Sequence, residues 1–338
     1  MTFLAWTRVA ILVCGGTLMC PPGASAQSTA LLQGLDLRRV GVEIVAPAEL
    51  RLRLRHHVLA YTAHRGVVLA DTGGMDTKLL AELRLTLMPE PIGDACREKV
   101  LYAPSLALIE PVIVLRNQLR MRDSTWSKGV APHVRTRPTT EDLENEAERL
   151  VTRFLEDYRR ANPAGVTSPE SGANAEDMVD TQDGIVPELI ADSVLPDARG
   201  DAALRELSEE VLQLSVLTNE SARDVTKHVF ERLDAGGLVL SRQRRSEAPV
   251  TLGIEQFQQP LDPQCPGRIL LETGLFVIEE VRAPRAPDAP LWSDTWARQS
   301  RRVDGPMTEA QLAGEREALL DQFIQSMHAS PGPSLKSR

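Results

Sequence analysis

The chain is short of aromatic residues and of positive charge, and each shortage argues against a class of protein. Aromatic side chains make up 4% of its 338 residues, which disfavours a surface that stacks sugars or bases. Its 47 acidic residues outnumber its 38 basic ones, for a net charge of −9. Because nucleic acid binding needs a basic field, no nucleic acid partner is expected.

Catalytic and ligand-binding signatures are also missing. The sequence contains no Gly-x-Ser-x-Gly, no Gly-x-Gly-x-x-Gly and no Walker pattern. His56, His57 and His64 form the one histidine cluster, and no cysteine or paired carboxylate stands beside them to complete a zinc site. We therefore predict no metal ligands, no cofactor and no catalytic residues. The pattern leaves catalysis open and favours a protein that is not an enzyme.

A long apolar run is missing too, since the one near the start covers only residues 9–19. A membrane-spanning helix needs about 20 residues. A short charged segment precedes the run, and the small residues Ala24-Ser25-Ala26 follow it, as before a leader cleavage site. We interpret residues 1–26 as a signal peptide, with an uncleaved anchor as the alternative. The product is then periplasmic or secreted, from a Gram-negative bacterium, without an integral membrane segment.

An internal repeat is the most informative feature that the sequence does contain. Ten pairs of identical or similar residues are each separated by 169 positions, and the dipeptides Thr125-Trp126 and Thr295-Trp296 by 170, which needs one inserted residue. The ten pairs are Cys96 and Cys265, Leu106 and Leu275, Leu108 and Val277, Ile109 and Ile278, Glu110 and Glu279, Val112 and Val281, Thr139 and Thr308, Leu143 and Leu312, Leu150 and Leu319, and Phe154 and Phe323. The pattern predicts a tandem of one domain.

Hydrophobic periodicity predicts the fold of the repeated unit. Residues 81–87 alternate between apolar and polar, as in a strand with one buried face. Apolar stripes after Thr139 and after Thr308 predict closing helices, each begun by a capping box with Asp142 or Gln311. We predict an α+β fold: a tandem repeat of a two-layer sandwich, each copy an antiparallel or mixed sheet of about five strands with two helices on one face.

Finer features of the unit follow from the same patterns. Short second strands are predicted at residues 67–70 and 238–241, and long fourth strands at residues 99–116 and 268–282. Pro284, Pro287 and Pro290 predict a proline-rich loop before the last strand of the second copy.

Composition sets the predicted domain boundaries. The first α+β domain covers residues 36–163 and the second, the internal repeat, residues 204–328. Residues 164–203 are rich in acidic residues, proline, glycine and serine, which is typical of a flexible linker. We expect residues 329–338 to form a disordered tail.

Two cysteines remain once the two in the leader are set aside. Cys96 and Cys265 occupy equivalent places in the two copies, and an even pair in an exported protein is a candidate disulfide. Such a bond would place both sulfur atoms near the pseudo-twofold axis that relates the copies. The alternative is two buried or free thiols, each within its own domain.

Two further residue pairs recur and suggest a site. Glu110 and Glu279 lie in the middle of equivalent strands, where a carboxylate serves either as a general acid or base or as a partner of a basic residue on a neighbouring strand. Trp126 and Trp296 follow a threonine in both copies. Each indole either lines a ligand or partner surface or fills the core where the last strand meets the closing helix.

The first copy resembles a family of uncharacterised exported bacterial proteins. The resemblance rests on five segments, and the second copy departs from it with Ala297, without the Arg-Asn pair and with Ser330-Pro331. The five segments are Glu110-Pro111-Val112, Leu115-Arg116-Asn117, Thr125-Trp126-Ser127, Phe154-Leu155-Glu156-Asp157-Tyr158 and Asn162-Pro163. The order of elements is similar to the N-terminal domain of the Tol-system translocation protein. The resemblance implies export and an α+β fold, and it implies no activity.

Two functional hypotheses remain. The first is an exported, non-enzymatic protein of two related domains with an envelope assembly or interaction role, whose partner is an unknown envelope protein. The second is a periplasmic hydrolase or small-ligand-binding protein that uses the groove between the repeats, with Glu110, Glu279, Trp126 and Trp296 at its wall. A shared cleft holding both carboxylates with raised pKa values would favour the second hypothesis.

Overall fold

Four helices accompany the sheets in the part of the chain that the structure describes. The computed structural model describes residues 31–70, 79–93, 96–163, 201–204, 207, 212–238, 240, 250–261 and 265–329. The helices are α1 (Arg51–His64), α2 (Thr140–Ala161), α3 (Ala222–Ala235) and α4 (Glu309–Ala329). None of these four is long and apolar enough to cross a membrane. The predicted signal peptide, most of the predicted linker and nearly all of the predicted tail lie outside the described residues.

Eleven strands in the described ranges form one large mixed sheet and one small sheet, so the α+β class is confirmed. The strands are β1 (Val40–Val45), β2 (Ala81–Thr86), β3 (Glu90–Pro91), β4 (Lys99–Tyr102), β5 (Ser105–Val114), β6 (Arg120–Gly129), β7 (His133–Thr136), β8 (Leu212–Thr218), β9 (Val250–Pro260), β10 (Ile269–Ala283) and β11 (Ala286–Asp304). The small sheet has the order β3-β4-β7, and the other eight strands form the large sheet.

The large sheet has the order β1-β2-β5-β10-β9-β8, with β6 paired to β5 and β11 paired to β10. In the first half β1 runs parallel to β2 and α1 connects them, while β2, β5 and β6 are antiparallel. In the second half β8 runs parallel to β9 and α3 connects them, while β9, β10 and β11 are antiparallel. The helices and the strands of the large sheet therefore follow the same order in both halves.

Three prolines explain why only the first half has the small sheet. Pro89 lies between β2 and β3, Pro104 between β4 and β5, and Pro132 between β6 and β7. Each lacks the N–H that a ladder needs. Positions 258 and 273, which correspond to Pro89 and Pro104, are Gln and Thr, and β9 and β10 run through them unbroken. The predicted strand at residues 99–116 is therefore two strands.

Each half buries its own core between the sheet and two helices. In the first half α1 and α2 cover the face that carries Leu83, Leu106 and Leu108. In the second half α3 and α4 cover the face that carries Leu252, Leu275 and Val277. The alternation predicted for residues 81–87 is confirmed, since Ala81, Leu83, Leu85 and Leu87 are buried. Apolar burial of this kind is the main driving force for both cores.

The predicted N-terminal caps of α2 and α4 are confirmed. Thr139 Oγ1 accepts a hydrogen bond from Asp142 N at 3.1 Å, and the Asp142 carboxylate accepts one from Thr139 N at 2.8 Å. Thr308 and Gln311 make the same reciprocal pair before α4, at 3.3 and 2.9 Å. These bonds occupy N–H groups that a helix start leaves without partners.

Several finer predictions were wrong. The predicted strand at residues 67–70 is reduced to a single bridge between Gly41 and Ala70, and most of residues 238–241 lies outside the described residues. Pro287 and Pro290 belong to β11, and a register shift between Val281 and Ala283 accommodates them where a loop was expected. The predicted domain limits stay predictions; Leu31, Leu32 and Ala203, which lie just outside them, are buried.

Candidate functional site

The two halves join where β5 and β10 run past their inner neighbours and pair with each other. Val114 pairs with Val281 and Ile113 with Arg282 in antiparallel register, and Leu115 N donates to Glu280 O at 3.3 Å. Ile113 and Arg282 are themselves separated by 169 positions. Two residues with the spacing of the sequence repeat thus face each other across the junction. This junction brings the predicted glutamates next to residues of the opposite half.

Glu110 of β5 is bound by an arginine from the second half. Glu110 is 4% exposed, and Arg285 Nη2 donates to Glu110 Oε1 at 2.9 Å. The same guanidinium also donates to two backbone carbonyls, at Gln33 (2.6 Å) and at Leu31. Arg285 therefore neutralises a buried charge and fixes the segment that leads into β1.

Glu279 of β10 is bound in the same way by an arginine from the first half. The carboxylate is 1% exposed. Arg116 Nε donates to its Oε2 at 2.9 Å and Nη2 donates to its Oε1 at 3.1 Å, while Nη2 also donates to the Ala203 carbonyl at 2.6 Å. Thr295 Oγ1 adds a hydrogen bond to Glu279 Oε1 at 2.5 Å.

The two ion pairs are reciprocal. Arg116 and Arg285 are separated by 169 positions, as are Glu110 and Glu279. Each half therefore contributes one glutamate and one arginine, and every pair crosses the junction. The second half has Arg285-Ala286 where the first has Arg116-Asn117, so the Arg-Asn pair is not kept but the arginine is.

The predicted disulfide is confirmed: Cys96 and Cys265 are bonded, with Cα atoms 6.0 Å apart. It lies in an apolar cluster to which both halves contribute residues. The other members come in pairs separated by 169 positions: Ile92 and Leu261, Leu101 and Leu270, and Val134 and Val303. An ion pair between Glu90 and Arg301 joins the halves near this cluster. The disulfide is therefore a second connection between the halves.

Both tryptophans lie inside the two cores. Trp126 is 2% exposed and Trp296 is fully buried. Each indole packs edge-on against the phenylalanine of its closing helix, with ring centroids 5.1 Å apart for Phe154 and 5.2 Å apart for Phe323. Trp126 Nε1 donates to the buried Asp157 carboxylate at 3.1 Å. The structure thus places both indoles in the core position that was the alternative to a ligand or partner surface.

A β-bulge recurs beside each tryptophan. The register shifts between Leu108 and Ile109 opposite β6, and between Val277 and Ile278 opposite β11. The extra residues are Thr125 and Thr295, both buried. Bulges redirect side chains locally, and here the bulge in the second half lets Thr295 reach Glu279.

The four predicted wall residues do not meet in one groove. Glu110 and Glu279 lie on opposite sides of the Ile113–Arg282 pair, six strand positions apart, which is roughly 20 Å at about 3.3 Å per residue. Each carboxylate is bound by an arginine of the opposite half. The described residues also contain no group of three or more potential metal ligands.

Sequence reasoning missed a second charged cluster, on the sheet face away from the helices. Arg84 of β2 binds both Glu43 of β1 and Glu82 (3.1 Å), and Arg122 of β6 approaches Glu82 at 3.5 Å. The alternation in β2 predicted that Glu82 and Arg84 lie on a solvent-exposed face of the sheet. It carried no signal that Glu43 and Arg122 would converge there, because strand order is not encoded in the spacing.

Glu43 and Glu82 interact on this face, and their pKa values shift in opposite directions. Burial and the hydrogen bond to Glu43 raise the pKa of Glu82 above its usual range. Burial also acts to raise the pKa of Glu43, but the hydrogen bond with Glu82 and the Arg84 guanidinium outweigh it, so this pKa is lowered. Two carboxyl groups in contact behave in this way because both cannot ionise freely. The pair is half-buried and is the one carboxyl pair with opposed pKa shifts in the described ranges.

Comparisons with known proteins assign no family. No family model matches the chain, and no curated protein matches it. Three solved bacterial proteins show distant structural similarity. They are the PelC dodecamer from Paraburkholderia phytofirmans (13% identity, 36% of this chain and 90% of that one, TM-score 0.23), a minor lipoprotein from Acinetobacter baumannii (13%, 34% and 87%, TM-score 0.18) and the rare lipoprotein B from Shewanella oneidensis (19%, 35% and 87%, TM-score 0.15).

Proposed function

We propose that this protein is a non-enzymatic envelope protein in which two diverged copies of one α+β unit are fused into an intramolecular pseudo-dimer. One observation supports this most strongly: both buried carboxylates that recur in the sequence are bound by arginines of the opposite half. The recurring glutamates therefore hold the two halves together, as expected of two domains with a fixed relative orientation.

The register of the two halves supports the duplication. Val100 pairs with Arg135 as Ile269 pairs with Asp304, and Leu108 pairs with Trp126 as Val277 pairs with Trp296. The two halves share pairing partners and a bulge. This agreement supports duplication more strongly than a shared order of elements does, because the register of a strand pair is set residue by residue.

The disulfide supports a location outside the cytoplasm. Structural disulfides persist in oxidising compartments and are rare where thiol systems keep cysteines reduced. Cys265 is fully buried within the apolar cluster, as is typical of a structural bond. The proposed role, assembly of or interaction within the envelope, follows from export together with the lack of a substrate-binding groove among the predicted wall residues.

Export can be tested with the full chain and a matched variant that lacks residues 1–26. Cells are fractionated and free thiols are alkylated without reduction before mass analysis. The full chain is expected in the envelope fraction with Cys96 and Cys265 unmodified, and the variant in the cytoplasm with both alkylated. Recovery of the full chain in the cytoplasm with two alkylated thiols would contradict the proposal.

The interaction role needs a separate test. Photo-reactive residues are placed at the exposed positions Leu52 (69% exposed) and Trp292 (42%), with the buried Leu108 as the control. Irradiation of living cells is expected to give a reproducible crosslink to an envelope protein from an exposed position and none from Leu108. No product from either exposed position would argue against an interaction role.

A further inference from the structure

The second half buries polar side chains under α4 where the first half is apolar. Arg316 of α4 is 6% exposed, Gln256 of β9 is 2% exposed and Thr273 of β10 is 4% exposed. The residues 169 positions earlier are Ala147, Leu87 and Pro104. Buried polar groups are costly unless they are hydrogen-bonded, so the partners of these three side chains decide what the region does.

Part of this polar cluster is satisfied within the protein. Arg316 Nη1 donates to Gln256 Oε1, and it lies 3.5 Å from Glu220 Oε2. Gln256 Nε2 donates to the Leu312 carbonyl of α4 at 2.8 Å. Among the described residues, three buried atoms of this cluster have no hydrogen-bond partner: Arg316 Nε, Thr273 Oγ1 and Glu220 Oε1.

Arg316 and Thr273 line the same small cavity between α4 and the β9–β10 pair. Leu275, Leu319 and Leu320 also line the cavity, which is about large enough for one water molecule. Buried water characteristically fills polar cavities of this size, where it bonds to two or more groups that lack other partners.

The charges around the cavity determine whether an anion, a cation or a neutral molecule can bind in it. An anion would lie close to the Glu220 carboxylate, whose Oε2 is 3.5 Å from Arg316 Nη1. A cation would meet the guanidinium of Arg316. A small neutral molecule that both donates and accepts hydrogen bonds fits both neighbours.

We propose that this cavity binds one buried water molecule, which accepts a hydrogen bond from Arg316 Nε–H and forms another with Thr273 Oγ1. The water links the closing helix of the second half to its sheet. The first half, with Ala147 and Leu87 in the corresponding places, needs no such water.

Valine at position 273 tests the proposal, because it has the shape of threonine without the hydroxyl. If water is bound, Thr273→Val removes one of its partners and lowers the urea midpoint, while Thr273→Ser keeps it near that of the wild type. If the cavity is dry, Thr273→Val removes an unsatisfied buried hydroxyl and raises the midpoint, which would overturn the proposal.

Thr125 provides the matched control, since its hydroxyl is also buried without a hydrogen-bond partner and it does not line this cavity. Thr125→Val is expected to raise the midpoint. A crystal structure of the full chain at atomic resolution gives the direct readout. One water within hydrogen-bond distance of both Arg316 Nε and Thr273 Oγ1 is expected, and an empty cavity or an ion in it would contradict the proposal.

Discussion

At the residue scale, the glutamates of the junction show how a buried charge can be held without serving chemistry. Glu110 and Glu279 are nearly inaccessible, and each is neutralised by an arginine whose remaining donors bind backbone carbonyls. Ion pairs of this kind cost free energy to desolvate, but breaking one is more costly still because the partner stays buried and charged. Each glutamate needs its arginine to neutralise it, and each arginine needs its glutamate. This mutual need explains why both residue types recur in the two halves.

Glu110→Gln should destabilise the protein by about 3–5 kcal/mol, because it leaves Arg285 without its counter-charge. Urea denaturation measures the change. The double variant Glu110→Leu with Arg285→Met should recover most of the loss, since neither charge is then buried alone. Glu280→Gln is the control, because Glu280 lies on β10 beside Glu279 and faces the other side of the sheet. Equal losses for Glu110→Gln and Glu280→Gln would refute the assigned role.

The carboxyl pair on the outer face gives a prediction with a pH signature. The pKa of Glu82 is raised, so the folded protein binds this proton more tightly than the unfolded chain does. The free energy of unfolding that Glu82 contributes therefore falls as pH rises through its folded pKa. Glu82→Gln, which mimics the protonated acid, should gain stability relative to the wild type between about pH 4 and pH 8, by about 1 kcal/mol at most.

Glu43→Gln should show the opposite trend. The pKa of Glu43 is lowered, so its contribution is present above the unfolded pKa and is lost as pH falls through the folded pKa. The variant should therefore lose stability relative to the wild type as pH rises. Thermal unfolding across this pH range checks both variants, and parallel pH profiles for the two would contradict the opposed pKa shifts.

At the element scale, most of the fold follows from local pattern. The alternation in β2, the stripes and capping boxes of α2 and α4, and the glycines that end α1 and α3 are all visible in the sequence. Gly66 and Gly237 adopt positive φ values of 76° and 82°, which favour glycine. The division of the first half into a main and a small sheet was harder to predict, because it depends on single prolines within otherwise strand-like runs.

The junction could be predicted only in part. The repeat identified Glu110, Glu279, Cys96 and Cys265 as candidates, and a basic partner on a neighbouring strand was one expected role for the glutamates. Nothing in the sequence shows that β5 and β10 are neighbours, since strand order depends on long-range packing. Without that order, the exchange of Arg116 and Arg285 between halves could not be deduced, even though both occupy equivalent positions.

The helix starts give a prediction at this scale. Thr139→Ala removes the hydroxyl that caps α2 and should cost about 1 kcal/mol. Thr308→Ala should have a similar effect on α4, because Thr308 makes the same reciprocal bonds with Gln311. Thr140→Ala, one position inside α2, is the control. A loss for Thr140→Ala equal to that for Thr139→Ala in urea denaturation would argue against the capping assignment.

At the scale of the whole molecule, the two halves are connected at two places besides the chain itself. One is the β5–β10 pairing with its two ion pairs and an apolar cluster that includes Val112, Val114 and Val281. The other is the disulfide with the apolar cluster around it. Two separate connections restrict relative motion of the halves far more than one, and a continuous sheet is expected to behave as a single cooperative unit.

The most direct test of this pseudo-dimer is to cut the chain between its halves. A protease site is inserted within residues 170–190, and the folded protein is cleaved, reduced in native buffer and analysed by size-exclusion chromatography. The two fragments are expected to elute together after reduction, because the β5–β10 pairing and the reciprocal ion pairs still hold them. Separation of the fragments on reduction alone would contradict the account.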